Sequence, residues 1–294
     1  MKSKSDFVKL GSQAFTDSSF LWIEKNMKKP VVLVTGASRG LGEGLSQRLK
    51  SEHYTVYAGM RSPRGLPSDD ADGLKAIALD VCDEASMQRA IEEIINKEGS
   101  LDVIIHNAGL QYLCPAEAFT VEEIKNLFEV NFFGPFRLTQ LALPQMRSQG
   151  SGRLVFISSI RGVESCPYMG PYSASKAALE ALAFDWAITL DRWNIKVSII
   201  QPGPVRTGVE MKHGTYFDGK ENPYSPCPQF PLAWQTIDEV CDVIIQCISA
   251  EHPCFRYQTG PAAQEIVEKY LIDAQGNSWV ETLKSWWNKA SFHN

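Results

Sequence analysis

Two kinds of segment follow each other along most of the chain. Short apolar, β-branched runs such as Val31–Thr35 are typical of strands that are buried on both faces of a sheet. In longer segments the apolar residues recur every three or four positions, as at Leu41, Leu45 and Leu49, which is typical of amphipathic helices. This regular alternation predicts a parallel sheet whose crossover connections are right-handed helices.

The apolar runs predict about seven strands, with helices between them. The strands are predicted at Val31–Thr35, Thr55–Ala58, Leu74–Ala78, Leu101–Ile105, Arg153–Ile157, Lys196–Ile200 and Phe255–Gln258. After the helix that begins near Leu41, further helices are predicted at Glu84–Lys97, Val121–Gln149, Pro171–Arg192 and Ile237–Ala250. The predicted fold class is α/β, with a doubly wound parallel sheet and helices on both of its faces.

The domain organisation is simple. The chain has no internal repeat and no low-complexity linker, so residues 27–294 are predicted to form a single domain. Residues 1–26 precede the first strand and are interpreted as an N-terminal extension outside the fold. Residues 207–235 are irregular and long for a connection within a compact domain, which predicts a mobile loop with a role in function.

Composition excludes several classes of protein. Hydrophobic residues make up 44% of the 294 residues and charged residues 21%, which suffices for a large buried core. The net charge of −5 argues against binding to nucleic acid. The seven cysteines are odd in number and form no C-x-x-C pair, so they are interpreted as reduced thiols of a cytoplasmic protein without a metal site. No apolar run reaches the roughly 20 residues of a membrane helix, so no membrane span is predicted.

A glycine-rich turn joins the first strand to the first helix. Gly36, Gly40 and Gly42 have the spacing G-x-x-x-G-x-G. Glycines in such a turn let the backbone bend tightly and approach a pyrophosphate, which binds to amide groups at the helix N-terminus. The turn therefore predicts a dinucleotide site, and a glycine-rich turn without a ligand is the structural alternative.

The end of the second strand indicates which dinucleotide is bound. A site for NAD usually has a carboxylate there to bind the ribose 2′-hydroxyl. This chain has Arg61 instead, and Arg39 in the glycine-rich turn supplies a second cation. Because arginine binds phosphate with two parallel hydrogen bonds, we predict that NADP(H) is preferred over NAD(H). The alternative is that both arginines are merely solvated.

A tyrosine and a lysine provide candidate chemistry. Tyr172 and Lys176 are four residues apart, on one face of a predicted helix, and Ser159 lies thirteen residues before the tyrosine. The ammonium is expected to favour ionisation of the phenol, whose ordinary pKa is about 10. A phenol with a lowered pKa would be usable as a general acid and base near neutral pH.

These motifs together resemble the short-chain dehydrogenase/reductase family, in its one-domain branch with T-G-x-x-x-G-x-G and Y-x-x-x-K. The resemblance is clear from about Val31 to Thr207 and weaker to about residue 280. Its markers are Thr35–Gly42, Leu79-Asp80-Val81, Asn107-Ala108-Gly109, Asn131, Ser158-Ser159, Tyr172 with Lys176, and Pro202-Gly203. It implies a Rossmann fold and an enzyme that transfers a hydride between a nicotinamide cofactor and a carbonyl or alcohol.

The resemblance implies four catalytic residues, namely Asn131, Ser159, Tyr172 and Lys176. Ser159 would orient the substrate carbonyl and Tyr172 would transfer the proton. Lys176 would bind the nicotinamide ribose, and Asn131 would kink its helix around a water that links Lys176 to solvent. Ser158 is interpreted as structural.

The resemblance also implies the cofactor contacts. Asp80 would bind the adenine amino group, the turn at Asn107 would pass beside a ribose, and the segment that starts at Pro202 would contact the carboxamide. The implied set is Gly36, Ser38, Arg39, Gly40, Leu41, Gly42, Arg61, Asp80, Val81, Asn107, Ala108, Gly109, Tyr172, Lys176, Pro202, Gly203, Val205 and Thr207. His106, directly before that turn, is interpreted as a hydrogen-bonded structural residue.

Further similarity is to the branch that holds the 17β-hydroxysteroid and retinol dehydrogenases, which implies a small hydrophobic carbonyl or alcohol substrate. The loop after Thr207 carries the aromatic residues Tyr216, Phe217, Tyr224, Phe230 and Trp234. It is interpreted either as a flap over a hydrophobic pocket or as a loop packed on the domain. The pocket is predicted to be lined by Leu110, Gln111, Val163, Cys166 and Met169.

Two other functions stay open at this point. One is a 3-oxoacyl thioester reductase, and the other is a non-catalytic NADP(H)-binding regulator. Trp279, Trp286 and Trp287 near the C-terminus are interpreted as part of a helix that packs on the domain or on another subunit. The resemblance further implies a homodimer or homotetramer.

Overall fold

The computed structural model describes residues 29–63, 73–209, 211–221, 223 and 234–271, together with residues 275, 277 and 281. The predicted N-terminal extension and the three C-terminal tryptophans lie outside these residues. The division of the chain at residue 27 therefore stays a prediction.

Seven parallel strands form one sheet in the order β3-β2-β1-β4-β5-β6-β7. The strands are β1 Val31–Thr35, β2 Thr55–Met60, β3 Leu74–Ala78, β4 Val103–His106, β5 Gly152–Ile157, β6 Ile195–Pro202 and β7 Arg256–Thr259. In the register of the central strand, Val34 pairs with Ala58 on one side and with Ile105 on the other. The predicted doubly wound parallel sheet is confirmed.

Helices cover both faces of this sheet. Within the described residues they are α1 Gly40–Ser51, α2 Glu84–Glu98, α3 Val121–Phe128, α4 Gly134–Gln149, α5 Gly170–Thr189, α6 Ile237–Ser249 and α7 Pro261–Tyr270. The sequence pattern did not indicate α7. It also did not indicate that Val121–Gln149 is two α-helices joined by a π-helical turn, Glu129–Phe133.

Alternating residues of the strands divide the core into two layers. Val31 and Leu33 face one side, where they belong to the apolar cluster that includes residues of α2, α4 and α5. Val32 and Val34 face the other side and belong to the cluster with α1 and α6. Burial on both faces explains why β1 reads as a continuous apolar run.

The fourth strand begins two residues later than predicted. Leu101 donates its N–H to Gln149 Oε1 at 3.0 Å, and the Asp102 carboxylate accepts the N–H of Val31 at 2.7 Å. The assigned strand starts at Val103, although the Asp102 N–H still donates to the Val31 carbonyl at 3.0 Å and the Asp102 carbonyl accepts from the Arg153 N–H at 2.9 Å. Apolar character alone could not distinguish Leu101 from the strand that follows it.

Candidate active site

The loops that follow β1, β4, β5 and β6 meet at the carboxyl edge of the sheet. Because β1 lies between β2 and β4, the order of winding reverses there and leaves a crevice in which open α/β sheets bind ligands. The predicted site residues come from these loops and from α5. The fold therefore brings the nucleotide motif and the Tyr–Lys pair to the same edge.

The glycine-rich turn packs directly on the turn after β4. Gly36 and Gly40 have φ angles of +66° and +62°, in the left-handed region that favours glycine. A Cβ on Gly36 would lie 2.8 Å from Cα of Ala108, and one on Gly42 would lie 2.4 Å from Nδ2 of Asn107. Two of the predicted cofactor segments are thus in contact, with no room for a side chain between them.

Thr35 connects these two turns by hydrogen bonds, although it was not among the predicted site residues. Its hydroxyl accepts the N–H groups of Asn107 and Ala108, both at 3.0 Å. In return, Asn107 Nδ2 donates to the carbonyl oxygen of Thr35 at 2.9 Å. The signal was available in the sequence, because Thr35 is the first residue of the T-G-x-x-x-G-x-G motif.

A cavity of about 270 Å³ lies beside the glycine-rich turn. It is lined by Ala37, Ser38, Glu43, Ser46, Gln47, Met60, Ser62 and Leu74. Arg39 follows one lining residue in the chain and Arg61 lies between two others, and both arginines are exposed. The two predicted phosphate ligands are therefore chain neighbours of residues that line a cavity with several hydroxyl groups.

Asp80 and Val81 follow β3 at the same edge. Asp80 Oδ1 accepts the N–H of Cys82 at 2.9 Å, which holds the carboxylate in a tight turn. Val81 is 9% exposed, and a Cβ on Gly134 would lie 2.8 Å from its carbonyl oxygen. The predicted adenine segment is thus supported by the start of α4.

The segment after β6 crosses over the glycine-rich turn. A Cβ on Gly40 would lie 3.3 Å from Cβ of Thr207 and 3.0 Å from Cγ2 of Val209. Val205 forms a bridge with Gln235, whose carbonyl oxygen accepts the N–H of Arg206 at 2.9 Å. This arrangement holds Pro202, Gly203, Val205 and Thr207 along one side of the crevice.

Tyr172, Ser159 and Lys176 come together in the interior. All three are buried, with exposed fractions of 8%, 9% and 4%. The Tyr172 phenol lies beside the Ser159 hydroxyl, which acts to lower the pKa of the phenol. Lys176 Nζ donates to the carbonyl oxygen of Ile157 at 2.8 Å and lies 5.8 Å from the centroid of the Tyr172 ring.

The expected lowering of the Tyr172 pKa does not occur in this structure. Burial raises the pKa of Tyr172 to about 12, although the Ser159 hydrogen bond and the nearby Arg161 charge act in the opposite direction. Burial also lowers the pKa of Lys176 to about 8, against the stabilising charge of Glu180. The expectation from helical spacing was wrong because it omitted desolvation, which is the largest influence on both groups.

Asn131 lies in the π-helical turn and is fully buried. Its Oδ1 accepts the N–H of Leu110 at 2.8 Å, and its Nδ2 donates to the Leu110 carbonyl and to Ser175 Oγ, both at 3.0 Å. A Cβ on Gly109 would lie 3.5 Å from Asn131 Oδ1 and 3.6 Å from Lys176 Nζ. Asn131 therefore fixes the turn after β4 beside the lysine, and its proposed water link stays a prediction.

His106 is structural, as interpreted from the sequence. Its ring stacks on Phe156 with centroids 4.5 Å apart, and its Nε2 hydrogen-bonds Thr139 Oγ1 at 3.1 Å. Burial lowers the pKa of His106 to about 3, so the ring is neutral at physiological pH. The His106 ring is therefore part of the buried core beside the turn at Asn107.

An apolar cluster surrounds Tyr172. Its buried members are Tyr112, Cys114, Ala118, Phe119, Leu127, Met169 and Tyr172. Leu110, Cys166 and Phe217 pack against it, so three predicted pocket residues (Leu110, Cys166 and Met169) belong to this wall. Val163 packs instead on Ile160 and on α7 in a separate cluster, and Gln111 is exposed.

The described part of the loop at residues 207–235 is held against residues 111–123 by hydrogen bonds. Lys212 bridges to Tyr112, Gly214 donates its N–H to Cys114 Sγ at 3.2 Å, and Tyr216 donates its N–H to the Ala118 carbonyl at 3.0 Å. This stretch places Phe217 against the apolar cluster. Tyr224 and Phe230 lie outside the described residues, and the mobility of the loop stays a prediction.

The residues present fit a dinucleotide with a nicotinamide ring. The glycines of the turn after β1 have no Cβ, so only main-chain atoms face the turn after β4. The buried Tyr172, Ser159 and Lys176 lie farther along the same crevice. Among the described residues, no group of three or more histidine, cysteine or acidic side chains could hold a metal ion. Nor does any described helix have the length and apolar character to cross a membrane.

The fold and the site define an oxidoreductase that uses a nicotinamide cofactor. This chain belongs to the short chain dehydrogenase family, whose family model matches residues 30–216. The resemblance drawn from the sequence motifs is confirmed.

Several relatives of this chain are named for reactions on hydrophobic compounds. The chain is 31% identical to a 3-ketodihydrosphingosine reductase of Bacteroides thetaiotaomicron, over 86% of this chain and 94% of that protein. It is 30% identical to human retinol dehydrogenase 8, over 85% and 88% of the two chains. It is 31% identical to human 17-beta-hydroxysteroid dehydrogenase type 1, over 87% and 85%.

Solved structures agree with this assignment. A short-chain dehydrogenase from Streptomyces avermitilis matches with a TM-score of 0.74 and 32% identity, over 88% of this chain and 99% of that chain. A short chain dehydrogenase from Burkholderia cenocepacia, in complex with NADP, matches with a TM-score of 0.68 and 27% identity, over 86% and 97%.

Proposed function

We propose that this protein is an NADP(H)-dependent oxidoreductase that interconverts a hydrophobic alcohol and its ketone or aldehyde. The observation that carries the proposal is the location of Tyr172, which lies beside the Ser159 hydroxyl within a wall of apolar side chains. A proton donor beside an apolar surface suits a carbonyl compound whose remainder is hydrophobic.

In this proposal each residue of the site has a distinct task. The nicotinamide, when bound, supplies or accepts the hydride. Ser159 donates a hydrogen bond to the substrate oxygen and orients the carbonyl, and Tyr172 donates the proton to that oxygen in reduction and removes it in oxidation. Lys176 holds a ribose hydroxyl with its ammonium, and Asn131 keeps the turn at Leu110 in place.

The substrate class follows from the wall around Tyr172 and from the relatives. Leu110, Phe119, Met169 and Phe217 present apolar surface without a charged group. Relatives named for a keto sphingoid base, a retinol and a steroid have in common a large hydrophobic body next to one oxygen. We therefore propose a long-chain or polycyclic lipid ketone or aldehyde as the substrate.

A panel of carbonyl compounds tests this function. NADPH oxidation would be followed with 3-ketodihydrosphingosine, a retinal, a 17-ketosteroid, a long aliphatic aldehyde and an acetoacetyl thioester. We expect turnover with at least one of the lipid carbonyls, with kcat/KM rising as apolar length increases. Turnover of the thioester alone would establish the thioester reductase instead, and tight NADPH binding without any turnover would favour the regulator.

The preference for NADP(H) has its own test. If the 2′-phosphate binds between Arg39 and Arg61, each Arg→Ala replacement removes a charge-assisted hydrogen bond, which typically contributes about 1.5–3 kcal/mol. We expect the Kd for NADPH to rise by at least tenfold in either variant while the Kd for NADH stays unchanged.

Arg192→Ala is a matched control for these two variants, because Arg192 lies after the C-terminal end of α5, away from the glycine-rich turn. Its guanidinium carbon lies 5.0 Å from the centroid of the Trp193 ring. Fluorescence titration with both cofactors measures the effect. An equal rise in the Kd for NADH would show that the arginines support the fold and do not select the phosphate, and a wild-type protein that binds NADH more tightly would contradict the preference itself.

A further inference from the structure

A buried carboxylate lies directly behind the catalytic residues. Glu180 is one helical turn after Lys176 in α5 and is 5% exposed. Ser158 Oγ donates to Glu180 Oε1 at 2.7 Å, and Gln201 Nε2 donates to both carboxylate oxygens at 2.9 and 3.0 Å. The sequence pattern did not single out Glu180, because it lies among the apolar residues of a helix.

The hydrogen bonds around Glu180 all run toward it. Gln258 Nε2 donates to Gln201 Oε1 at 2.7 Å, which orients the Gln201 amide so that its Nε2 faces the carboxylate. Arg256 Nε lies 3.6 Å from Oε2, within ion-pair distance but too far for a strong hydrogen bond. Burial raises the pKa of Glu180, and the surrounding donors and the cation act in the opposite direction by favouring the anion.

These partners adjoin the groups that hold the catalytic side chains. Ser158 lies between Ile157, whose carbonyl accepts from Lys176, and Ser159. Gln201 precedes Pro202, whose carbonyl lies 3.5 Å from Ser159 Oγ. The contact of Glu180 with both strand ends therefore fixes the residues on either side of the catalytic serine.

We propose that Glu180 is a positioning residue of the active site. Its carboxylate ties the end of β5 to the end of β6 and supplies the negative charge that faces Lys176 across one helical turn. The proposal rests on the function proposed above, because it assigns Glu180 to the same reaction.

The charge of Glu180 has a defined consequence for pH dependence. The charged and titratable groups around this centre are Tyr172 and Lys176 on α5, Arg161 after β5 and Arg256 on β7. Lys176 acts as an ammonium, and its pKa of about 8 means that this form is lost as pH rises through 8. Removal of the Glu180 charge lowers the pKa of Lys176 further, so activity is lost at a lower pH.

Glu180→Gln tests the proposal, because it removes the charge and keeps the shape. We expect kcat to fall about tenfold with little change in KM, and the alkaline limb of the kcat profile to move about one pH unit toward acid. In [ε-¹³C]lysine NMR of the cofactor-free protein, with the signal assigned by Lys176→Arg, Lys176 should titrate at a correspondingly lower pH than in the wild type.

Two further variants distinguish the effect of the Glu180 charge from that of the Ser158–Glu180 hydrogen bond and from a general loss of stability. Ser158→Ala keeps the charge, so it should lower kcat without moving the alkaline limb. Glu98→Gln makes the same chemical change at a carboxylate remote from the site, which accepts from Tyr57 and Lys75, each at 2.7 Å. It should leave both kcat and the alkaline limb unchanged.

A Glu180→Gln variant with the wild-type alkaline limb and the wild-type Lys176 titration would overturn the proposal. If that variant does not fold, Ser158→Ala decides the positioning role, and a wild-type kcat in Ser158→Ala would overturn it. A wild-type protein that reduces no carbonyl compound refutes the proposed function alone, because the lysine titration still measures the effect of Glu180.

Discussion

Replacement of Tyr172 by phenylalanine is expected to lower kcat by roughly 10²–10⁴-fold, which is the usual contribution of a general acid. The phenol lies beside the Ser159 hydroxyl at the apolar wall, and phenylalanine keeps the ring but has no proton to transfer. Because the pKa of Tyr172 is about 12, the residue is protonated across the working range and is poised as a donor for carbonyl reduction. Steady-state NADPH oxidation with the best substrate of the panel measures the loss.

Tyr54→Phe is the matched control for this substitution. Tyr54, directly before β2, is also buried, at 2% exposed, and its hydroxyl lies 3.4 Å from Ser249 Oγ. Both variants lose one buried hydroxyl, so each should lose only about 0.5–1.5 kcal/mol of unfolding free energy, but Tyr54→Phe should keep wild-type kcat. Near-normal turnover by Tyr172→Phe would remove the tyrosine from the mechanism.

Replacement of Gly36 by alanine is expected to raise the Kd for NADPH by at least tenfold and to destabilise the fold. The new Cβ would lie 2.8 Å from Cα of Ala108, so the two turns that hold the dinucleotide must move apart. Overpacking of this kind typically costs about 1–3 kcal/mol, in addition to about 1–2 kcal/mol for a left-handed backbone with a side chain. Fluorescence titration with NADPH and denaturant unfolding measure the two effects.

Gly99→Ala isolates the steric part of that effect. Gly99 has φ +71°, close to the +66° of Gly36, but a Cβ there would meet nothing within 4 Å among the described residues. Gly99 follows α2 and is remote from the turns after β1 and β4. Gly99→Ala should therefore lose only the unfolding free energy that a left-handed backbone with a side chain costs, and it should bind NADPH normally. Equal Kd values for the two variants would mean that contact between the turns does not shape the cofactor site.

Much of the fold was readable from local pattern. The alternation of buried strands with periodic helices predicted all seven strands, and the fourth begins at Val103, two residues later than predicted. The π-helical turn at Asn131 was not readable, since a single extra residue in a helical turn leaves the apolar periodicity nearly unchanged. Its position depends on the contacts of the buried Asn131 side chain with Leu110 and Ser175.

The sequence by itself determined the class of fold, the glycine-rich turn and the tyrosine–lysine pair, because backbone periodicity and short motif spacings are local properties of a chain. Only the tertiary structure decided the proton affinities of that pair, since desolvation depends on every segment that packs around Tyr172 and Lys176. The same holds for the Glu180 centre, whose partners lie 21 to 22 positions away at Gln201 and Ser158 and farther still at Arg256. Hydrogen bonds between such distant residues follow from the packing of β5, β6 and β7 against α5, which no local pattern specifies.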